Sequence, residues 1–506
     1  MTFLSELFNP INENAATIAA SLVFLGLLLF ITERFRAWYR LRHVRGPFWA
    51  GFSKLWLIRA VSSGNMHWEF ANVNRRYGSL ARIGPNHLVT SDPNQMRRML
   101  GVRSLYTRSE WYIGMKFDPS RENVESERNE ERHNQLRSKM AAGYSGKELG
   151  NMEQKIDENV ANLVTLIENY STNGFEYKPF DFGRKAQFFT LDVITHLAYG
   201  KAFGFLTTDS DVYEYIKTVE ETLPAAMLVT VLPWMNWLLQ TNLVKRILPS
   251  EKDPIGFGKL LGIAKETVGK RFGPNAEEVG NDMLGSFIRH GLTQDEAESE
   301  TILQIIAGSD TTAVAVRIIF LHLMSNPRIL SRFRAEFSQS SISSPIRDSE
   351  ARNLPYLQAI IKEGLRYWPP VVGLMAKEVP PAGDMINGMF IPGGTSIGYD
   401  AFGIFRNKEI FSEDADLFRP ERWLEGPPEK TKELEQTLDL VFSFGKYQCL
   451  GRNVALMELN KVFVELFRRF DFAAVDAQKP IGTNVARGIF LIHNFWLTVT
   501  RLPQKL

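Results

Sequence analysis

The chain has 506 residues, 44% hydrophobic and 23% charged, the balance of an ordinary globular protein. A formal net charge of +2 gives no electrostatic case for a nucleic-acid partner. A single cysteine excludes an internal disulfide and a multi-cysteine zinc site, and it fits a reducing, cytosol-facing compartment.

Residues 14–32 carry no charge and are dense in Leu, Ile, Val and Phe, long enough to span a bilayer. A cleaved signal peptide would need a basic start, but residues 1–13 hold Glu6 and Glu13 and no Lys or Arg. Arg34, Arg36, Arg40, Arg42 and Arg45 follow the apolar run instead. The positive-inside rule then puts residues 1–13 in the lumen, residues 14–32 in the membrane and the body in the cytoplasm. Residues 33–50 read as a basic linker ending in the stiff hinge Gly46-Pro47, and 51–506 as one large domain. From Tyr77 to Val89 the pattern alternates between breaks at Gly78, Gly84 and Pro85, which predicts a β-hairpin. Helical periodicity then dominates, with short strands near 370–400 and 480–500. Residues 338–345 read as a polar loop.

Glu130 to Met140 predicts a charged helix on which His133 and Arg137, four apart, share a face. Taken alone, that is a solvated surface. Residues 222–244 also lack charge, but Pro224 and Pro233 interrupt them and polar Thr230, Asn236, Gln240 and Asn242 interleave. Length alone would allow a second membrane span there, but an apolar lid that dips into the membrane surface at Trp234 and Trp237 is the better reading. Leu303 to Leu323 predicts a long apolar helix with Ala307-Gly308-Ser309-Asp310-Thr311-Thr312 at its middle. Glycine and an acid are costly in a buried helix, so this break of local rules marks a functional site; the alternative is threonine bonding back to its own helix carbonyls, the reading that suits Thr312. Glu363 and Arg366 form E-x-x-R, and Phe418-Arg419-Pro420-Glu421-Arg422-Trp423 lies downstream.

The stretch Phe442-Ser443-Phe444-Gly445-Lys446-Tyr447-Gln448-Cys449-Leu450-Gly451-Arg452 holds the one cysteine. A helical pattern starts after Gly451, so Cys449 sits just before a helix N-terminus, where exposed N–H groups favour a thiolate. A thiolate in an apolar loop is a strong, soft metal ligand; the plain alternative is an inert buried thiol.

This stretch resembles the haem-binding loop of the cytochromes P-450, F-x-x-G-x-[R/H]-x-C-x-G, in Phe442, Gly445, Cys449 and Gly451. Tyr447 departs from it, since the family usually places there a basic residue that pairs with a haem propionate, and a hydrogen bond from the tyrosine hydroxyl is the expected replacement. The Ala307–Thr312 run, E-x-x-R and the P-E-R segment match the family in order. The wording is most similar to fungal enzymes of secondary metabolism, including the pisatin demethylase-like group. The resemblance implies a mainly α fold with small β sheets, one two-lobed catalytic domain behind an N-terminal transmembrane helix. It implies heme b with Cys449 as axial thiolate, Arg137 and His133 toward the propionates, and Gly308 opening room beside the iron. It also implies that Thr311 hydrogen-bonds dioxygen while Asp310 relays protons, and that Glu363, Arg366 and Arg422 form a buried structural network. Residues 369–376, Trp111 to Asp118 and Gly488 to His493 would line the substrate pocket; core packing reads equally well.

No G-x-G-x-x-G fingerprint appears, so electrons must come from a partner. By resemblance that partner is the NADPH-cytochrome P-450 reductase, with cytochrome b5 as a second donor, at the endoplasmic reticulum membrane. Lys446, Arg452 and Lys139 are candidates for its docking face. The expected activity is dioxygen-dependent oxidation of an apolar small molecule, such as a terpenoid, polyketide or alkaloid. A haem-thiolate isomerase or dehydratase, and a non-catalytic haem binder, are the alternatives; the oxygen-helix motif argues against both.

Overall fold

The computed structural model describes residues 2–171, 177–245, 249–273, 276 and 280–503; Met1 and the other intervening positions lie outside the described residues. Helix α1 (Thr2–Arg40) outlasts the expected span because no Gly or Pro interrupts the sequence between Leu27 and Arg45. From Leu22 to Ile31 its large apolar side chains are exposed, as a helix facing lipid requires. Leu41 and Val44, in the expected linker, are buried in the main core.

Helix α2 (Leu55–Ser62) precedes the hairpin of β1 (Leu80–Gly84) and β2 (His87–Thr90), shorter than the alternation suggested because Tyr77 ends a preceding helix. Then come β3 (Thr107–Arg108), α3 (Glu130–Ser145), β4 (Phe180–Asp181) and α4 (Phe182–Tyr199). Asn129 caps α3, its side chain accepting from the Arg132 N–H, which fixes where His133 and Arg137 fall on the helix.

The uncharged stretch 222–244 is not one span. It divides among α5 (Tyr215–Val231), a turn at Leu232 to Trp234, and short helices Met235–Leu239 and Asn242–Lys245. Pro233 cannot continue the helix, and the break leaves Trp234 and Trp237 60% and 68% exposed.

Helix α6 (Gln294–Ser325) opens on a capping box of Thr293 and Glu296 and runs through the core. It is long and apolar enough to cross a membrane, but its burial marks a core helix. It packs along α4, Gly308 allowing close approach: a Cβ there would lie 2.7 Å from Ile194 Cγ1. Helix α7 (Pro355–Tyr367) carries E-x-x-R and is followed by β5 (Lys377–Glu378), β6 (Asp384–Ile386), β7 (Met389–Ile391) and β8 (Ser396–Tyr399). Helix α8 (Arg452–Phe467) follows the cysteine loop, and β9 (Phe470–Ala474), β10 (Thr483–Arg487), β11 (Ile489–His493) and β12 (Trp496–Arg501) close the chain.

The five-stranded sheet has the order β1-β2-β8-β5-β3, with β2 and β8 parallel. It thereby joins the N-terminal hairpin to strands some 300 residues later. Its far edge sets Arg108 on β3 opposite Lys377 on β5. The two-residue strands β3 and β4 gave no periodicity to read; pairing across the chain makes them strands.

Candidate functional site

Cys449 stands where the helix pattern placed it, three residues before α8. Its N–H donates to the Phe442 carbonyl at 2.8 Å, which closes the loop. Gly445 has φ +59° and lies against the Leu100 carbonyl, so a side chain there would be strained and would clash. The Gly451 and Arg452 N–H groups bond the thiol and favour its ionised form, but burial is the larger effect and pushes the thiol above its ordinary value. The side chain remains open on one side, and an open cleft of about 290 Å3 reaches this loop between Arg352, Arg452 and Leu456.

Beside Cys449 lies a cationic cluster. Arg137 is close enough to Cys449 for their charges to interact, and burial lowers its pKa. His133, 1% exposed, is held down to about 3 by burial and by the charge of Arg108, so it is neutral, and its Nδ1 has no partner among the described residues. Tyr447 does not occupy the place of the missing basic residue: its hydroxyl donates to Glu130 Oε1 at 2.5 Å, and its ring lies 4.6 Å from the Arg108 guanidinium and 4.2 Å from Lys377 Nζ. Lys377 is 1% exposed and Arg108 is 4% exposed. Burial, then the Arg108 charge, lowers the Lys377 pKa well below its usual value. Sequence reading missed both residues. Arg108 gave no signal, and the one signal for Lys377 was its place at the end of a run, 369–376, with no charge at all.

Like charges opposite one another on antiparallel strands repel. Arg108, Arg137, Lys377 and Lys446 interact here with Glu125 and Glu130, an excess of cations over carboxylates. Arg108 Nε has no partner among the described residues. An anion in place would relieve that surplus and let Lys377 keep its charge. The dianionic edge of a haem, with its iron at Cys449, meets the need, so these residues fit a haem.

Helix α6 carries the second half of the site. Ala307 is exposed in the middle of a buried helix, and Leu303, Ile306 and Thr311 are partly exposed at helical spacing, so this face borders an internal void. The Thr311 hydroxyl donates to the Ala307 carbonyl at 2.9 Å, the back-bonded alternative. A Cβ on Gly308 would point at Ile194 on α4, so the missing side chain lets the two helices pack closely beside this face. Asp310 is 3% exposed. It accepts from Gln187 Nε2 at 2.5 Å and from the Tyr215 hydroxyl at 3.2 Å. Burial pushes its carboxyl up to about 6 against the charge of Arg317. Arg317 in turn donates to Gln187 Oε1 at 2.7 Å, so carboxyl, amide and guanidinium form one network.

The pocket stretches meet above α6. The Val372 and Gly373 N–H groups donate to the Gly488 carbonyl at 2.7 and 3.0 Å, and a Cβ on Gly373 would lie 3.1 Å from Trp111. A Cβ on Gly114 would lie 2.6 Å from Thr230 of α5, so residues 110–115, 371–375, the β10–β11 turn and α5 enclose one apolar region.

Glu363, Arg366 and Arg422 are fully or nearly fully buried together. Glu363 accepts from Arg366 at 2.7 and 2.9 Å and from Arg422 Nε at 3.0 Å. Trp423 Nε1 and the Arg419 N–H complete its shell at 2.9 and 2.8 Å, two partners sequence reading missed. The guanidiniums bond the carbonyls of Phe405, Phe411, Asp414, Ala415 and Leu417, locking the irregular segment that leads into the P-E-R turn.

Of the three candidate docking cations, Lys446 is turned inward, its side chain 12% exposed and paired with Glu130 at 2.9 Å. Lys139 pairs with Glu296 and Arg452 with Asp439, so Lys446 is withdrawn from the docking face.

A sequence model of the family described as Cytochrome P450 matches residues 44–494. The cytochrome P450 monooxygenase ABA1 of Pyricularia oryzae is 41% identical over 478 residues, 92% of each chain. The cytochrome P450 monooxygenase aba1 of Botryotinia fuckeliana is 38% identical, over 91% of this chain and 92% of its own. Pisatin demethylase of Fusarium vanettenii is 29% identical, over 90% and 87%. In this family haem is held by a cysteine thiolate and turned over with dioxygen and electrons from a reductase. The chain belongs to the cytochromes P450 and is a haem-dependent monooxygenase.

Proposed function

We propose that this monooxygenase oxidises an apolar small molecule of secondary metabolism while anchored in the endoplasmic reticulum membrane, its catalytic body in the cytoplasm. The carrying observation is the single cysteine, set before α8 beside a buried surplus of positive charge. Cys449 would hold the haem iron through its thiolate, and Arg137, Arg108 and Lys377 would hold the propionates, with His133 a neutral donor beside them. When bound, haem supplies the binding and reductive activation of dioxygen. The residues of the chain then do three things. Thr311 offers a hydroxyl on the exposed face of α6. Asp310, whose carboxyl titrates near neutrality, exchanges protons with it by a swing out of the Gln187 and Tyr215 bonds. The apolar roof excludes water and selects by shape.

The lid supports an apolar substrate drawn from lipid. Phe48, Trp49 and Leu55 are 68%, 73% and 70% exposed, and Lys54 beside them donates to the Val231 carbonyl at the end of α5. Phe48 packs on Phe52, which stacks on Trp38 of the anchor, and Trp234 and Trp237 stand exposed just after Val231. The NADPH-cytochrome P450 reductase, with cytochrome b5 as a second donor, docks at the open cleft by Arg352 and Arg452. The test is the reduced carbon monoxide difference spectrum of the wild type and of Cys449→Ala. A strongly red-shifted Soret band that the variant loses supports thiolate ligation; a band typical of histidine ligation in both sinks it.

A further inference from the structure

The anchor joins the body through Arg82 of β1. This guanidinium is 3% exposed and has no carboxylate among the described residues. It donates instead to five main-chain carbonyls: Ala37 at 2.9 Å and Trp38 at 3.0 Å in the last turns of α1, Gly51 at 3.1 Å, Gly84 at 3.1 Å and Pro85 at 2.6 Å. The last carbonyls of a helix have no partner within it and carry the negative end of its dipole. Arg82 is thus a C-terminal cap supplied to the anchor by the catalytic body.

Other contacts brace the same joint. The Arg82 N–H donates to the Arg45 carbonyl at 2.8 Å. Trp38 stacks on Phe52 with ring centres 5.7 Å apart and planes within 8°. Arg40 donates to the Gly393 carbonyl at 2.7 Å, and the His43 ring bonds the Phe390 carbonyl at 2.8 Å, both at the β6–β7 hairpin. Gly46 lies against the Arg82 carbonyl so closely that any side chain would clash, and Leu41 is fully buried. A flexible tether has none of these features.

We infer that Arg82 clamps α1 to the catalytic body, so that the anchor is a rigid lever that sets how the body sits on a lipid bilayer. The clamp reaches the lid by a short path: Gly51 binds Arg82, Lys54 follows three residues on, and Lys54 holds Val231 at the end of α5. The angle of the anchor therefore fixes which part of the roof meets lipid. This inference rests on α1 being a membrane anchor, and flotation of the full-length protein with phosphatidylcholine vesicles checks that premise separately.

The test uses the full-length, haem-loaded protein in oriented phosphatidylcholine multilayers, reading the dependence of the ferric electron paramagnetic resonance signal on sample angle. Three proteins are compared: wild type, Arg82→Ala, and a chain with a Gly-Ser linker inserted between Arg40 and Leu41. The wild type shows a sharp angular dependence, the linker chain loses it, and Arg82→Ala loses most of it while keeping the wild-type carbon monoxide spectrum. An ordered linker chain would mean that surface contacts alone orient the body, and would overturn the inference. So would a wild type as disordered as the linker chain, or an Arg82→Ala variant as ordered as the wild type. If Arg82→Ala does not fold, Trp38→Ala takes its place, with the same reading.

Discussion

Arg108 and Lys377 face each other across the β3–β5 ladder, 269 residues apart in sequence, both buried. Two cations in register repel, by up to about 1 kcal/mol for an exposed pair and more when desolvated. Lys377→Met should therefore leave the haem-free protein as stable or more stable, and lower the haem retained per chain. Denaturant unfolding of the haem-free protein and the haem-to-protein ratio after gel filtration check this. A variant with full haem occupancy would remove Lys377 from the cofactor site.

The Tyr447 hydroxyl donates to Glu130 rather than to the propionate edge. Tyr447→Phe should then cost about 1–2 kcal/mol of stability, the ordinary loss for a hydrogen bond to a charged group, with haem occupancy close to wild type. Chemical denaturation and the same haem ratio separate the two effects. Marked haem loss would return Tyr447 to the cofactor.

Glu363 neutralises Arg366 and Arg422 in a site closed to water. Glu363→Gln leaves both guanidiniums without their shared carboxylate, a change that costs about 3–5 kcal/mol. Little soluble, haem-loaded protein should be recovered. Recovery at the wild-type level, with an unchanged unfolding midpoint, would contradict the structural role.

Asp310 links stability to pH. Its carboxyl titrates at about 6 in the fold, above the ordinary 3.8, because burial disfavours the charge. A raised carboxyl makes the folded state hold its proton longer than the unfolded chain. Its contribution to stability therefore falls as pH rises from about 4 to about 6 and is flat above. Asp310→Asn should remove that fall, worth about 3 kcal/mol across the window. The difference between the two unfolding free energies, measured from pH 4 to 7, checks the sign. His133 runs the other way: its folded value of about 3 lies below 6.5, so stability is lost as pH falls below 6.5. His133→Phe should flatten that acid limb.

Thr311→Ala should cut product formed per NADPH consumed by roughly tenfold or more, with the balance released as peroxide, since proton delivery is worth about 10²–10⁴. Simultaneous assay of product, NADPH and peroxide decides it. Unchanged coupling would leave Thr311 in its bond to Ala307.

The sequence by itself determined the covalent chemistry and the local elements. A lone cysteine before a helical pattern, an acid and two threonines inside an apolar helix, and an uncharged run flanked by arginines are local patterns that spacing alone makes legible. The three members of the buried network were legible as motifs, though Trp423 and Asp414, which complete it, were not. Tertiary structure decided what depends on distant pairing. Only the β3–β5 register brings Arg108 to Lys377, and Arg82 meets the anchor's last turn only once β1 packs beneath it. The same holds for direction: spacing put Gly308 on the helix, but the packing of α6 against α4 turned its bare face to Ile194.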